Sequence, residues 1–477
     1  MNKRPPIVVI MGSVDHGKTT LLDYIRKANV AAKEAGGITQ SVGAYEIEHR
    51  TSNNEQVRKI TFIDTPGHEA FSKMKTRGAK IADIAILVVA TDDSVQPQTK
   101  EAIKIIKESE TPMIVAINKI DKVANTEPVK NDLMQAGVML EGYGGDITNQ
   151  PISAKTGDGV NELLDLILLT ADLENLEYDP EAPAGGFVLE SELDRRRGIV
   201  TTVILKNGTL KQGDEINVGA HSGKVKILEN FLGENVKSLT PSAPAIIMGF
   251  ETLPNVGAEF YAGKSTASQE KTRLENKPAI LTPEKEGTVR LVLKADVSGS
   301  LEALSQIIKN LPIKPKQKLE IVSEGVGDIT DGDIKHAMST RAIVIGFRTR
   351  TIPAAATLAR AQGIRVVESE IIYDLIKTVQ ETLSSLDKKA PKGKLEILAI
   401  FSKKGTKQVI GGKVTEGQIL NNAILEAERG GVVLGSGKIV NLQQAKRDVK
   451  TVEAGLECGL IFDCEKEIKV GDVLLAY

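Results

Sequence analysis

The sequence is poor in several residue types on which whole classes of protein depend. Its 477 residues include no tryptophan, 3% aromatic residues and two cysteines, Cys458 and Cys464. Few aromatics make base stacking an unpromising main device for binding nucleic acid. Two cysteines argue against a disulfide scaffold, and with no cluster of other ligands nearby they also argue against a metal site. We therefore expect a protein of the reducing cytoplasm.

The chain also lacks a strong net charge and a long apolar run. The formal net charge is −2, so any contact with nucleic acid must come from local basic patches. The first apolar run, residues 7–11, is too short for a signal peptide or a membrane segment, and we expect no membrane association. The length predicts about three to four domains.

One motif organises the rest of the chain. Residues 12–19 read G-S-V-D-H-G-K-T, between a strand-like run (7–11) and a helix-like run (20–25). This is the context of a phosphate-binding loop, in which glycines let backbone N–H groups surround a polyphosphate at a helix N-terminus. A glycine-rich turn of chance sequence is the alternative. The candidate nucleotide-binding residues are Gly12, Ser13, Val14, Asp15, His16, Gly17, Lys18, Thr19 and Thr20.

A second string, D-T-P-G-H at residues 64–68, follows another strand-like run. An aspartate at a strand end can hold a magnesium-bound water, and a glycine N–H can sense a γ-phosphate. A lone histidine is usually structural, but here it is placed to orient an attacking water. Thr39 lies in a glycine-containing loop that alone would be ordinary. The candidates from this string are Asp64, Thr65, Pro66, Gly67 and His68.

Two more strings predict recognition of guanine. N-K-I-D at residues 118–121 ends a strand-like run, and S-A-K occupies residues 153–155. An aspartate carboxylate accepts two hydrogen bonds from the guanine edge, which adenine lacks, and nucleotides bind beyond the carboxyl ends of parallel strands. The candidate residues are Asn118, Lys119, Ile120, Asp121, Ser153, Ala154 and Lys155.

The order of strand, helix and turn signals predicts a multidomain protein of mixed α/β and β class. We expect a P-loop GTPase domain (1–177), an antiparallel β-barrel (183–270), a three-layer α/β domain (286–369), a long connecting helix (370–389) and a second antiparallel barrel (390–477). A basic turn at 195–197 is either a solvated loop or a contact to RNA phosphate.

Together the strings resemble the signature of P-loop GTPases, and V-D-H-G-K-T with D-T-P-G-H is similar to the translational branch. G-G-I-T-Q-S-V-G-A-Y, at residues 36–45, resembles the first switch of bacterial translation initiation factor two. The resemblance covers residues 7–477 but not the long N-terminal region of most bacterial members. It implies GTP and GDP as ligands and Mg²⁺ bound by Thr19 and Thr39, with Asp64 acting through water. It also implies Lys18, Gly67 and His68 as the catalytic residues, with Val14 and Ile38 as an apolar gate.

The resemblance further implies that the last barrel grips formylmethionyl initiator tRNA through Gly412, Lys413, Glu457 and Cys458. It implies the small and large ribosomal subunits, with their ribosomal RNA, and other initiation factors as partners of a monomer. GTP would be hydrolysed on the assembled ribosome. Two positions depart from the family: Ser13 and Gly412 stand where it usually has histidine and cysteine.

Other classes of function compete with this interpretation. An elongation-type GTPase delivering elongator or selenocysteinyl tRNA should carry two barrels directly after the GTPase domain. A sulfate-activating GTPase subunit would not need the last barrel. A binding protein with inactive GTPase chemistry conflicts with Lys18, Thr19, Asp64 and His68. An archaeal-type relative is disfavoured by G-A-Y at residues 43–45 and by the compact C-terminal end.

Overall fold

A computed structural model describes residues 1–27, 39–40, 42–51, 56–67, 69–263, 288–312, 318–386, 391–429 and 432–476. The chain folds as two compact units, Met1–Val379 and Gln380–Tyr477. Within the described ranges, no helix combines the length and the apolar character needed to cross a membrane.

The first part of unit one is a six-stranded sheet with helices. Its elements are β1 (Asn2–Lys3), β2 (Ile7–Gly12), α1 (Lys18–Arg26), β3 (Gly43–Arg50), β4 (Val57–Asp64), α2 (Ser72–Ile81), β5 (Ile84–Ala90), α3 (Pro97–Glu108), β6 (Met113–Asn118), α4 (Glu127–Gln135), β7 (Asn149–Pro151), α5 (Val160–Leu173) and β8 (Glu177–Tyr178). The strand order is β3-β4-β2-β5-β6-β7, and β1 pairs separately with β8. Only the β3–β4 pair of this sheet is antiparallel.

The central strands explain why this sheet forms. Every residue of β2 and β5 is buried, as is expected of parallel strands covered on both faces. Alternate residues of these strands feed two separate cores, one containing Val9 and Leu87, the other Val8 and Ile86. The parallel arrangement brings the carboxyl ends of β2, β4, β5 and β6 to one edge, where the motif residues follow.

A closed six-stranded antiparallel barrel comes next. Its region contains β9 (Gly185–Asp194), β10 (Gly198–Asn207), β11 (Leu210–Lys211), β12 (Glu215–Val218), β13 (His221–Asn230), β14 (Ser238–Leu239), β15 (Pro244–Phe250) and β16 (Glu259–Ala262). The ring runs β10-β15-β13-β12-β16-β9, and β9 closes it on β10. Phe260 and Ile247, both fully buried, lie in its core.

The remainder of unit one is a parallel four-stranded sheet of order β18-β17-β19-β20. Its elements are β17 (Thr288–Ala295), α6 (Ser298–Asn310), β18 (Lys318–Val326), α7 (Asp331–Thr340), β19 (Ile343–Phe347), α8 (Pro353–Gln362) and β20 (Val366–Ser369). Helices α7 and α8 pack on the face that carries Val292 and Val344. The long helix α9 (Ile372–Leu386) follows, and the division between the two units falls within it.

Unit two is a second antiparallel barrel. Its strands are β21 (Gly393–Lys404), β22 (Lys407–Leu420), β23 (Ile424–Arg429), β24 (Val432–Gln444), β25 (Arg447–Asp448), β26 (Thr451–Glu453), β27 (Glu457–Asp463) and β28 (Val473–Ala476). The order β21-β28-β23-β24-β27-β22 becomes a ring because β21 also pairs with β22. The multidomain α/β and β class expected from the sequence is thus confirmed.

A buried aspartate joins the first sheet to the first barrel. Asp83 receives two hydrogen bonds from Arg4, at 2.6 and 2.8 Å, and one from Lys206 of the barrel at 2.6 Å. Hydrogen bonds and charges from these cations hold the pKa of Asp83 below its usual value, although burial opposes them. A buried carboxylate with two cationic partners is compatible with a dry interface.

A second buried carboxylate, Glu190 of β9, lies where three parts of unit one meet. Its Oε1 accepts the N–H of Gly299, in the first turn of α6, at 2.9 Å, while Oε2 has no hydrogen-bond partner among the described residues. Burial raises the pKa of Glu190 to about 7, against the two backbone N–H groups that it accepts. Nearby, Arg77 of α2 bonds Glu302 of α6 at 2.6 Å.

The raised pKa of Glu190 predicts a pH-dependent stability. The folded state binds this proton more tightly than the unfolded state, so stability falls as pH rises from 4.5 towards 7. Replacing Glu190 with Gln removes the buried charge but keeps the acceptor for Gly299. We expect Glu190→Gln to stabilise the chain above pH 7 by about 3 kcal/mol at most, with the gain shrinking in acid. Thermal melts across this pH range measure it.

The matched control is Glu215→Gln, which removes an exposed carboxylate from the same barrel. It should shift the melting temperature little at any pH. A Glu190→Gln effect that is destabilising, or that does not change with pH, would contradict the assignment of a buried, uncompensated charge.

Candidate functional site

The phosphate-binding loop folds as its glycines require. Gly12 and Gly17 have φ of +141° and +85°, a region that favours glycine. A Cβ at Gly12 would lie 2.3 Å from the carbonyl oxygen of Val88, and one at Gly17 would lie 2.5 Å from Nδ2 of Asn118. The loop therefore passes against β5 and β6 with no room for a side chain at either position, and it leads directly into α1.

Lys18 is the first residue of α1, and its ammonium group is held over the loop. Its Nζ donates to the carbonyls of Gly12 and Ser13, at 3.0 and 2.7 Å. The side chain is buried, and burial lowers the pKa of Lys18 to about 8. An anion bound in the loop would favour the charged form and reverse this shift. A Cβ at Gly67 would lie 2.6 Å from the same Nζ, so the D-T-P-G string ends beside this lysine.

Three oxygen donors predicted to surround Mg²⁺ converge beside the loop. The Thr19 and Thr39 hydroxyls are 3.1 Å apart, and the Thr39 hydroxyl lies 3.5 Å from Oδ2 of Asp64. Hydroxyl and carboxylate oxygens are the hard donors that Mg²⁺ prefers, with water and phosphate completing the shell. The described residues contain no group of three His, Cys, Asp or Glu side chains suited to a metal. The two hydroxyls and the one carboxylate fit Mg²⁺ without such a group.

The two strings predicted to recognise the base are tied to each other and to the phosphate loop. Asn118 is 2% exposed; its Nδ2 donates to the His16 carbonyl at 2.8 Å, and its Oδ1 accepts the Ala154 N–H at 2.9 Å. The Ser153 hydroxyl donates to Asp121 at 2.7 Å. This hydrogen bond ties the exposed Asp121 to the S-A-K string, so the two strings predicted to recognise the base lie together.

Other candidates surround this arrangement. Lys119 has φ of +66° and pairs with Asp92 at 2.9 Å, and the Ile120 N–H bonds the Ile152 carbonyl at 3.2 Å. The Thr65 hydroxyl donates to the Ile10 carbonyl at 2.9 Å, which ties the start of the D-T-P-G string to β2. Asp15, Thr20 and Lys155 are exposed around the site.

The two histidines of the motifs differ in what the structure says of them. His16 is fully buried, and its Nδ1 lies 3.1 Å from the Val88 carbonyl. Burial lowers the pKa of His16, so it stays neutral and braces the loop against β5. His68, the predicted catalytic histidine, lies outside the described residues, as does Ile38 of the predicted apolar gate. Val14, the other gate residue, lies beside Gly67.

Sequence reasoning missed two glutamines that contact the site. Oε1 of Gln98, in the first turn of α3, accepts the Ser13 hydroxyl at 3.0 Å and the Val14 N–H at 3.1 Å. Gln40, 3% exposed and next to Thr39, donates to the Glu370 carbonyl at 3.0 Å and accepts the Ile372 N–H at 3.1 Å. A proline-started helix after β5 was a signal for Gln98. Nothing local signalled Gln40, whose partners lie 330 residues away.

The predicted tRNA-binding residues of unit two are two cross-strand pairs. Gly412 lies opposite Cys458, and Lys413 lies opposite Glu457, across β22 and β27. Cys458 points into the barrel core, and burial raises the pKa of its thiol to about 11. Lys413 and Glu457 are exposed. The pleat therefore puts the first pair inside the wall and the second pair on its outer face.

The basic turn of the first barrel is largely engaged within the chain. Arg195 pairs with Asp328 of the parallel four-stranded sheet's region, and Arg197 bonds Glu229 of β13. The backbone N–H groups of Arg196 and Arg197 both donate to the Asp194 carboxylate at 2.7 Å. Two of the three arginines thus have internal carboxylate partners, which weakens the expectation of a dedicated phosphate contact at this turn.

The fold and the site define a P-loop GTPase of the translational class. Residues 3–172 match the family described as Elongation factor Tu GTP binding domain, and residues 183–263 match Elongation factor G domain 2. Residues 263–380 match the family described as Translation-initiation factor 2.

Curated relatives narrow the class to one family. Translation initiation factor IF-2 of Alkaliphilus metalliredigens is 41% identical over 99% of this chain and 70% of its own length. The factor of the same name from Rubrobacter xylanophilus is 39% identical over 100% of this chain and 71% of its own length. The chain belongs to the translation initiation factor IF-2 family.

A third relative and a solved structure extend the comparison. The Persephonella marina factor is 43% identical over the whole chain, which spans 56% of that protein. Among solved structures, GDP-bound aIF5B from Aeropyrum pernix is 28% identical, with a TM-score of 0.48, over 100% of this chain and 92% of that one. The family confirms the expected resemblance and implies a ligand of the guanine nucleotide class.

The geometry of Asp121 predicts how the base would be recognised. The carboxylate would accept from two guanine N–H groups, whereas an asparagine there would present an amide donor to one of them. We expect Asp121→Asn to weaken GDP binding by at least about tenfold. The same variant should bind xanthosine diphosphate better than the parent chain does, because xanthine carries a carbonyl where guanine has the amino group. Titration calorimetry with both nucleotides measures the exchange.

Asp146→Asn, which neutralises an exposed aspartate of the same domain, is the control and should leave both affinities unchanged. Equal loss of both nucleotides in Asp121→Asn would instead indicate a collapsed loop.

Proposed function

We propose that this chain is a GTP-dependent initiation factor that positions formylmethionyl initiator tRNA, promotes joining of the ribosomal subunits and hydrolyses GTP on the assembled ribosome. The observation that carries the proposal is the convergence of Lys18, Thr19, Asp64 and Asn118 at one sheet edge in a chain of this family. Family membership supports ribosome interaction in general. The proposal also includes initiator tRNA and other initiation factors as binding partners. It further includes a monomeric state and a location in the cytoplasm.

The geometry supports a set of proposed roles. Lys18 and the loop N–H groups bind the phosphates, and Asp121 selects guanine. Thr19, Thr39 and Asp64 would hold Mg²⁺, which when bound neutralises phosphate charge. Gly67 senses the γ-phosphate beside Lys18, and His68 directly follows it in the sequence, so docking on the ribosome would place the imidazole near the attacking water.

His68→Ala tests the hydrolytic role. Removing the imidazole takes away the group that orients water but none of the groups that bind nucleotide. We expect unchanged GTP affinity and a loss of ribosome-stimulated hydrolysis of roughly a hundredfold or more. Single-turnover phosphate release with assembled ribosomes measures it. His221→Ala, which alters a partly exposed histidine of the first barrel, should hydrolyse at the parent rate. Undiminished hydrolysis in His68→Ala would refute the role.

The tRNA proposal is supported by the outer face of the second barrel. Gly411 lies opposite Gly459 across β22 and β27, so the wall has no side chains at this pair. A Cβ at Gly411 would lie 2.9 Å from the ring of Phe401, which is 71% exposed. Lys413 and Glu457, two residues along on the same face, add a cation and a carboxylate. A shallow glycine floor beside an exposed ring, with polar groups adjacent, suits an apolar side chain that carries an acylated amine.

In this proposal Gly412 and Cys458 shape the wall from within. A Cβ at Gly412 would lie 2.5 Å from Cδ2 of Leu395, so a larger residue would displace the core beneath the floor. Cys458 fills the core opposite it.

Phe401→Ala tests the assignment in the full chain. We expect binding of formylated initiator tRNA to weaken about tenfold, since an aromatic contact of this kind contributes of the order of 1–2 kcal/mol. The variant should also discriminate less between formylated and unformylated tRNA. Filter binding with both tRNAs measures this.

Tyr261→Ala removes an aromatic side chain of similar exposure, 57%, from the first barrel and serves as the control. Equal and weak binding of both tRNAs by the parent chain would remove the basis of the assignment.

A further inference from the structure

Arg26, the last residue of α1, places a cation next to the proposed magnesium site. Its Nη2 lies 3.9 Å from Oδ2 of Asp64, and the two side chains are 21% and 8% exposed. Asp64 is also within 3.5 Å of the Thr39 hydroxyl. No sequence motif marks Arg26, which lies at the end of α1 away from the phosphate loop.

The position of the guanidinium is fixed by a stack of planar groups. Its Cζ lies 3.6 Å from the ring centroid of Tyr45, and Tyr45 stacks on Phe62 with centroids 5.6 Å apart. Tyr45 and Phe62 are cross-strand partners in β3 and β4, and both are buried. A cation held over an aromatic ring in a partly buried site is attracted to the face of that ring, which stabilises this position of the guanidinium.

Strand register then determines what the guanidinium meets. Phe62 and Asp64 are two residues apart on β4, so they share one face of the sheet. The partner of Asp64 on β3 is Gly43, which contributes no side chain. An arginine stacked on Tyr45 therefore has an open path along this face to the Asp64 carboxylate.

This arrangement puts a fixed positive charge beside a carboxylate that the proposed function assigns to a magnesium-bound water. We propose that Arg26 is a positioning residue that weakens the hold of the site on Mg²⁺ and so sets how strongly GDP release depends on the Mg²⁺ concentration. The inference rests on the proposed function, because it takes Thr19, Thr39 and Asp64 as the magnesium donors. Its physical basis is repulsion between two cations that share one carboxylate.

A second cation beside this carboxylate occupies a different position. Lys18 also faces Asp64, and its ammonium group is bonded to the loop carbonyls where the phosphates are expected. Phosphate charge would offset Lys18, whereas Arg26 lies on the hairpin side with Tyr45. Removing Arg26 should therefore change the metal site more than the phosphate site.

The experiment measures dissociation of a fluorescent GDP from the full chain over a range of Mg²⁺ concentrations. In Arg26→Gln the Mg²⁺ concentration that half-slows release should fall, on the order of tenfold, because a single neighbouring charge is removed. The rate without Mg²⁺ should change much less. Lys27→Gln removes the next cation along the chain, which is exposed, and should leave the profile unchanged.

Arg26→Lys separates charge from stacking. Lysine keeps the positive charge but lacks the planar guanidinium that stacks on Tyr45, so its Mg²⁺ profile should stay close to that of the parent chain. Equal shifts in Arg26→Gln and Arg26→Lys would overturn the proposal in favour of a packing role, as would an unshifted profile in a folded Arg26→Gln. GDP release that ignores Mg²⁺ in the parent chain would instead refute the magnesium site itself.

Discussion

One buried amide, that of Asn118, connects the two halves of the nucleotide site. It donates to the His16 carbonyl of the phosphate loop and accepts the Ala154 N–H of the loop that follows β7. Three segments that end separate strands are thereby held at fixed separation. Losing this side chain would leave two buried backbone groups without partners, each costing about 1–3 kcal/mol. In the proposed site, the spacing between the phosphate loop and the residues that would recognise the base therefore depends on this side chain.

Two buried carboxylates show how differently unit one treats charge at its internal interfaces. Asp83 is neutralised by Arg4 and Lys206, and its pKa is lowered. Glu190 meets only backbone donors on one oxygen, and its pKa is raised to about 7. Ion pairs stabilise the first interface, whereas the buried charge of Glu190 destabilises the second. The second also borders α2, the helix that follows the D-T-P-G string.

The motif residues were predictable from the sequence because their constraints are local. A glycine with positive φ after an apolar strand, or an aspartate at a strand end, can be recognised from the few residues around it. Contacts that depend on tertiary register could not be predicted in this way. Gln40 bonds a helix 330 residues away, Arg26 reaches Asp64 through Tyr45, and Cys458 points inward because of the pairing of β22 with β27. For the same reason the ion pairs of Arg195 and Arg197 could not be read from a basic turn.

Hydrogen bonds are short on the side of the site where the base is expected and longer on the side where the metal is expected. Around the base, Asn118, Asp121 and Ser153 are joined by hydrogen bonds of 2.7–2.9 Å. Around the proposed metal, Thr39 approaches Asp64 only at 3.5 Å. A ligand shifts an equilibrium only by its difference in affinity for the two states. Under the proposed function, guanine contacts that are the same for GTP and GDP would add affinity without distinguishing the two nucleotides. In the proposed function the difference between the two nucleotides is sensed by the groups beside the γ-phosphate and its ion, and the hydrogen bonds of Gln40, adjacent to Thr39, connect this region to the start of α9.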